Sequence, residues 1–517
     1  MKTFLLILPL LLFFSVGAIP PQDTLVIATN LDNLISLDPA EIFEASGLEY
    51  AFNTYDRLVF YDPENEGQFQ GSLAHHWTAS EDGKTVTFHL REDAKFASGN
   101  PVTAEDAAFS LQRIVKLNKA PSYLFTQFGW TADNATEKIR SQDAETLVLE
   151  TDGVAPSLLL YCLATANAAI VEKSLLLSHE NNGDLGNGWL KTHYAGSGPY
   201  ILQWWIANTG LYLTRNELYF GGAAKLKKII LRAIPEESSQ KMLLMKGDVD
   251  IARNLGLDQV EGIDNLHVDI YPLSMTYFMS MNQKHPHLKI PQVRQALKHL
   301  IDYENLETIT RGKMTVHQSF IPKGFFGAYE NNPFTYNPDK AKALLKEAGL
   351  EKGFTVNLDT SNVTIGEAIQ AMFGKANIRV NILPGDSKQV LTKLRAREHD
   401  LCLSTWVPDY HDPHNNAITF AYNPNNADDS PEKTLAWRNS WQISEVNEMT
   451  LEAMREQDNE KRRALYVQLQ QYFHDNAPFA NLFQENRVVA QRKEAMGKGV
   501  RFMSPLDVLC YYTPEKK

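Results

Sequence analysis

The sequence predicts a mixed α/β protein of several domains, and three observations carry that expectation. Short apolar runs of strand length alternate with amphipathic helical segments from one end of the chain to the other. Clusters of Gly, Pro, Asn and Asp punctuate them at close intervals. No internal repeat, heptad run or low-complexity linker is evident in the sequence. With 517 residues, 44% hydrophobic and 22% charged, a sizeable core is available, and length alone suggests about three domains.

The elements follow in order. Met1-Lys2, an apolar run from Phe4 to Val16 and the small residues through Ala18 read as a secretory signal peptide over residues 1–18. The run is shorter than the ~20 residues a membrane span needs. No cysteine follows it to carry a lipid, so the mature chain is expected to be soluble and outside the cytoplasm. Thr24 to Ala28 reads as a buried strand. Ala74 to Leu90 reads as a hairpin turning at Asp82-Gly83. Thr103 is placed to cap a helix whose first turn holds Glu105 and Asp106. Gly196-Ser-Gly-Pro-Tyr200 turns into an aromatic strand, Ile201 to Trp205; Ile229 to Ala233 is another strand, and a helix around Met242 to Lys246 ends at Gly247. Val293 to Ile301 and Pro338 to Ala348 are helices, with Gly349 closing the second. Phe354 to Leu358 and Ile378 to Ile382 are strands. The long polar periodic stretch Glu445 to Asn476 reads as surface helices.

Several function classes are disfavoured. A net charge of −12 argues against nucleic acid as a partner. Cys162, Cys402 and Cys510 are few, far apart and in apolar stretches, which fits buried thiols. There is no Gly-rich phosphate loop, His-Glu-x-x-His motif or nucleophile elbow, so neither catalysis nor a cofactor is expected. His411 with His414, and His285 with His287, are possible metal pairs, but Pro breaks the spacing in each and no third ligand accompanies them.

The most informative stretch is Trp406-Val-Pro-Asp-Tyr410-His-Asp-Pro413. It sets Asp409 among two aromatic residues and two prolines. A carboxylate in apolar surroundings calls for a cation. In sequence the nearest basic residues are Arg397 before it and Lys433 after it. A ligand ammonium would fill the role; a Pro-Asp turn with core aromatics is the other reading.

Taken together, the chain resembles the family 5 solute-binding proteins, the peptide- and nickel-type binding components of ABC importers. The motifs are Leu73-Ala-His-His-Trp77 continuing to Arg91, Lys95-Phe96, Gly99 to Asp106, Phe109-Ser110 and Arg113. Further matches are Gly196 to Tyr200, Gly247-Asp-Val-Asp250, Val293 to Leu297 with Ile301-Asp302, and Tyr336 to Gly349. Each is weak alone; the ordered set is specific and spans nearly the whole mature chain.

The resemblance implies a type II-like periplasmic binding fold of two lobes, a hinge and an inserted third domain. Residues 19–55, 186–270 and 486–517 would form the first lobe, 56–185 the inserted domain and 271–485 the second lobe. It implies a small peptide or other amine-bearing solute as ligand, an ABC permease and ATPase as partners, and a monomer. Asp409 falls on the family's amine-binding position, with Trp406 and Tyr410 beside it. Main chain near Asn30, Leu31 and Asp32, and around Ser404 to Trp406, would pair with an extended peptide. Tyr123 and Phe483 would be further walls. One departure stands out: an oligopeptide-binding relative has an arginine three residues before the Trp, where this chain has Leu403. Arg395 and Arg397 lie upstream, where either a substitute role or a plain surface role is open. The departure keeps polyamines and sugar-derived solutes open as ligands; the family resemblance also leaves nickel or haem open, and sensing or chaperoning in place of uptake, since fold does not fix function.

Overall fold

The computed structural model describes residues 20–61, 68–493, 496–498, 501–504 and 508–516; the expected signal peptide lies outside them. Among the described residues no helix is long and apolar enough to cross a membrane.

The frame is an eleven-stranded mixed sheet built from two parallel modules. In the first, Thr24–Thr29 lies between Lys228–Ala233 and Ile251–Ala252, parallel to both. In the second, Thr355–Thr360 lies between Arg379–Pro384 and Leu401–Trp406, again parallel to both. The central strand of the first module is buried along its whole length, as expected of parallel sheet covered on both faces.

The modules repeat one construction. A helix, Glu237–Lys246 or Ser387–Ala396, leads into the third strand of its module and ends on a left-handed residue, Gly247 (φ 82) or Arg397 (φ 62). Three residues later an aspartate turns back to the third residue of the central strand: Val26 N donates to Asp250 Oδ2 at 2.9 Å, and Asn357 N to Asp400 Oδ2 at 3.0 Å.

Two long antiparallel strands, Leu266–Met281 and Phe479–Arg492, pair with each other and join the modules. Their register shifts between Pro272 and Thr276. Ile251–Ala252 of the first module pairs with one end of this ribbon, and Leu401–Trp406 of the second with the other.

A separate four-stranded antiparallel sheet is made by Ala74–Ala79, Thr85–Leu90, Thr146–Glu150 and Ile139–Ser141. Thr85–Leu90 alternates half-buried and buried residues, so Val86, Phe88 and Leu90 enter one core. The helix Ala104–Leu117 covers that core, and its start is the expected cap. Thr103 Oγ1 accepts from Asp106 N at 3.3 Å while the Asp106 carboxylate accepts from Thr103 N at 3.0 Å, a device worth about 1 kcal/mol.

Most expected elements are present within a residue or two. The helix expected around Met242 starts at Glu237. The stretch expected as surface helices differs more. It forms Ser444–Arg455 and Asn459–Asn476, and the second buries Arg462, Tyr466, Leu469, Gln470, Phe473 and His474. Its polar residues are satisfied inside: Gln470 Oε1 accepts from Ser319 Oγ at 2.7 Å, and His474 Nε2 bonds Gln318 O at 2.8 Å. All three cysteines are buried and free.

Candidate functional site

The strand Leu401–Trp406 ends at Trp406, and the chain turns through Asp409 into the helix Pro413–Ala421. Two hydrogen bonds fix this turn. Asp409 N donates to Asn415 Oδ1 at 2.9 Å, and Asp412 caps the helix by accepting from His414 N at 2.8 Å. Asp412 is itself held by Arg462 through two bonds of 2.9 and 2.8 Å, with both side chains almost wholly buried.

The Asp409 carboxylate is half-buried and has no ion-pair partner among the described residues. Burial raises its pKa, against hydrogen bonds from Tyr123 and Asn415. Tyr123 belongs to a short helix, Tyr123–Thr126, far away in sequence; the residue as a whole is 41% exposed, and its ring stands edge-on to Phe43 with centroids 6.0 Å apart. Burial first and the Asp409 charge second raise the Tyr123 pKa, so the phenol keeps its proton and donates it. A half-buried carboxylate with neutral donors and no cation is electrostatically incomplete, and an ammonium would complete it.

The other expected residues divide. Trp406 is partly buried against the core around Phe278 and Phe420, and its indole nitrogen is buried without an acceptor. Ser404 is half-buried. The neighbouring strand Thr355–Thr360 pairs only with Leu401 and Cys402 of this strand, so Ser404 to Trp406 keep one main-chain edge unpaired. Asn30 and Asp32 are exposed, but their amides are engaged: Asn30 N donates to Asn254 Oδ1 at 3.1 Å and Asp32 N to Asn30 Oδ1 at 2.8 Å. Leu31 and Phe483 are core residues, 5% and 0% exposed, and Phe483 pairs through its main chain with Tyr277 and Val316. Tyr410 is turned into the protein interior. It is 2% exposed in the core of the four-stranded sheet, with its hydroxyl 3.4 Å from Gln127 Oε1. Sequence reasoning did not single out Phe43, Asn415 or the Asp412–Arg462 pair; no local pattern announces any of them.

Arg397 cannot replace the missing arginine. It precedes the strand whose far end is Trp406, roughly 17 Å away along the strand at ~3.3 Å per residue, and its guanidinium bonds Asn426, Asp428 and Ser440 at that distant end. Arg395 is exposed near the same end.

His411 and His414 are buried beside the site. His411 Nε2 donates to Gly324 O at 3.0 Å, and its ring packs against Tyr61 and Phe325. Among the described residues no group of three or more His, Cys, Asp and Glu side chains is placed to hold a metal ion. Burial pushes His411 down to about 3 and His414 to about 4. Both folded values lie below the unfolded value near 6.5, so the unfolded chain takes up the protons first. Stability is therefore complete above pH 6.5 and is lost as pH falls toward the folded values. Between pH 7 and 5 these two residues are expected to remove about 3–4 kcal/mol. Urea unfolding at the two pH values checks this, and His414→Gln should show a shallower dependence than the parent.

Known proteins resemble this chain in sequence and in fold. A family model described as "Bacterial extracellular solute-binding proteins, family 5 Middle" matches residues 68–428. The probable D,D-dipeptide-binding periplasmic protein DdpA of Escherichia coli K12 is 30% identical over 494 residues, covering 92% of this chain and 91% of that protein. The periplasmic binding protein DppA of Helicobacter pylori, solved in complex with the peptide STSA, superposes with a TM-score of 0.72 at 25% identity, covering 95% of this chain and 98% of that one. The dipeptide-binding protein of Pseudoalteromonas sp. SM9913, solved with Met-Leu, gives a TM-score of 0.74 at 22% identity over 96% of this chain and 100% of that one. With a model match across most of its length and a relative this similar over nearly all of it, the chain belongs to the bacterial extracellular solute-binding proteins of family 5.

Proposed function

We propose that this protein is the periplasmic solute-capture component of an ABC importer, and that it takes short peptides with their amine end on Asp409. The observation that carries the reading is the half-buried Asp409 carboxylate, which has neutral donors and, among the described residues, no cation, and which meets Tyr123 from a distant part of the chain. The relatives named for dipeptide binding, and the neighbours solved with STSA and Met-Leu, support peptides as the ligand class. Ser404 to Trp406, with an unpaired edge, is the stretch that would take the peptide main chain as an added strand.

The lobes in this reading are residues 19–55, 186–270 and 486–517 on one side and 271–485 on the other, with 56–185 inserted in the first. The paired strands Leu266–Met281 and Phe479–Arg492 then serve as the hinge, and the register break after Pro272 is where bending costs least. Closure follows because the ligand contacts both lobes and so favours one conformer. The closed monomer would be what the permease and ATPase recognise. No bond of the ligand is made or broken.

Calorimetry with a dipeptide or tripeptide and its N-acetylated form tests the reading. Acetylation removes the ammonium and keeps the rest, so it should weaken binding by about tenfold or more, at ~1.4 kcal/mol per decade. Equal affinity of the two forms would exclude Asp409 as the amine site.

A further inference from the structure

A second polar cavity lies at the opposite end of the strand Leu401–Trp406 from Asp409. It has a volume of about 440 Å³ and is lined by Gln283, Lys284, Lys289, Arg397, Asp428 and Ser440 among others. Three cations and one carboxylate converge here, on a chain whose net charge is −12.

The floor is built of donors. The Arg397 side chain is 2% exposed and lies over the Trp437 ring, 4.4 Å from its centre. One terminal nitrogen donates to Asn426 O and to Asp428 Oδ1, both at 3.0 Å; the other donates to Asn426 Oδ1 at 2.8 Å and Ser440 Oγ at 2.7 Å. Its Nε is buried with no acceptor, and so is Gln283 Nε2. Buried donors left without acceptors are uncommon and costly.

The backbone supports the same reading. Where the first module ends its helix on Gly247, the second uses Arg397 at φ 62, and Ser440 stands at φ 58. Both are conformations that residues with a side chain seldom adopt. An arginine where glycine would be the easier choice is explained by what its side chain does in the cavity.

The mouth is occupied by a group of this chain. Asp428 Oδ1 lies 3.0 Å from Arg397 and 3.4 Å from Lys284 Nζ, yet its side chain is 82% exposed. It is a tethered carboxylate held from one side, with Lys284 and Lys289 exposed around it. An ion pair this exposed contributes little and exchanges readily.

We infer that this cavity is a second ligand site, for a small oxyanion, a carboxylate or a phosphate, which displaces Asp428 and takes the donors of Arg397, Gln283 and the two lysines. The peptide site proposed at Asp409 lies at the other end of the strand, so the two sites would fill independently.

Calorimetric titration of the mature protein at constant ionic strength tests this, with inorganic phosphate in one arm and succinate in the other. Binding in either arm is expected, and the stronger arm identifies the source of the oxyanion. Asp428→Asn removes the internal competitor and should tighten binding by about threefold to fivefold. The double variant Lys284→Glu with Lys289→Glu, both at exposed positions, should abolish it while leaving the melting temperature and peptide affinity unchanged. The inference fails if neither anion binds the parent or Asp428→Asn, if Asp428→Asn binds no more tightly, or if the lysine double variant binds as the parent does.

Discussion

Replacing Asp409 by asparagine is expected to weaken peptide binding by about tenfold or more while leaving the ligand-free protein as stable as before. The substitution keeps the shape and the bond from Asp409 N to Asn415, which is a main-chain contact. It removes the charge. Truncating one partner of a buried charge pair costs ~2–5 kcal/mol, and closure around the ligand would strengthen the pair by excluding water. Without ligand the carboxylate has no cation to lose, and burial already disfavours its charged form, so the unfolding midpoint should move little.

Acidity gives an independent check. The raised pKa of Asp409 means that acidification protonates it earlier than an exposed carboxylate, and the protonated form cannot pair with an ammonium. Affinity in the parent should therefore fall with pH, and the asparagine variant should lack that component. Calorimetry across pH with both proteins decides it. An asparagine variant that binds like the parent would remove the amine site. One that unfolds readily without ligand would make Asp409 a structural turn residue instead.

How far the sequence could be read depended on the range of the interaction. The cap at Thr103, the turn at Gly83 and the strand Thr24–Thr29 are local, and each appears where the pattern places it. Burial of polar groups is not local. Arg462 and Gln470 look like solvent-facing residues of a polar helix until Asp412 and Ser319, fifty and more residues away, are brought against them. The same limit misplaced Tyr410. Its neighbours in sequence line the turn at Asp409, while its ring belongs to the core of the four-stranded sheet. The repeated module escaped notice for another reason. Its two copies share a geometry, with Asp250 and Asp400 bonding the third residue of each central strand, but Gly247-Asp-Val-Asp250 and Arg397-Glu-His-Asp400 share only the aspartate. Asp409 was legible because it lacked something, a basic neighbour, and that lack persists in three dimensions among the described residues.

The largest loss of stability is expected from Asp38→Ala. Asp38 lies in the loop after the first strand, and Arg113 in the helix covering the four-stranded sheet. They form a two-pronged ion pair of 2.8 and 2.5 Å with 0% and 2% of their side chains exposed. Arg113 Nε also donates to Leu185 O at 2.8 Å, and Asn187 Nδ2 donates to Asp38 Oδ2 at 2.6 Å, so three distant segments are tied at one point. Removing the carboxylate leaves a guanidinium buried without its counter-charge, which typically costs about 3–5 kcal/mol. Arg113→Met strands the aspartate in the same way. The double variant Asp38→Ala with Arg113→Met strands neither charge, so its loss should be smaller than the sum of the two single losses by roughly 1–3 kcal/mol. Urea unfolding of the three variants measures that difference directly. Losses that simply add would mean that the pair is not coupled and that the tie is made by the neutral bonds to Leu185 and Asn187. A single variant that unfolds with a lower midpoint and an unchanged denaturant slope would place the effect in the folded state, where the buried, unpaired charge resides.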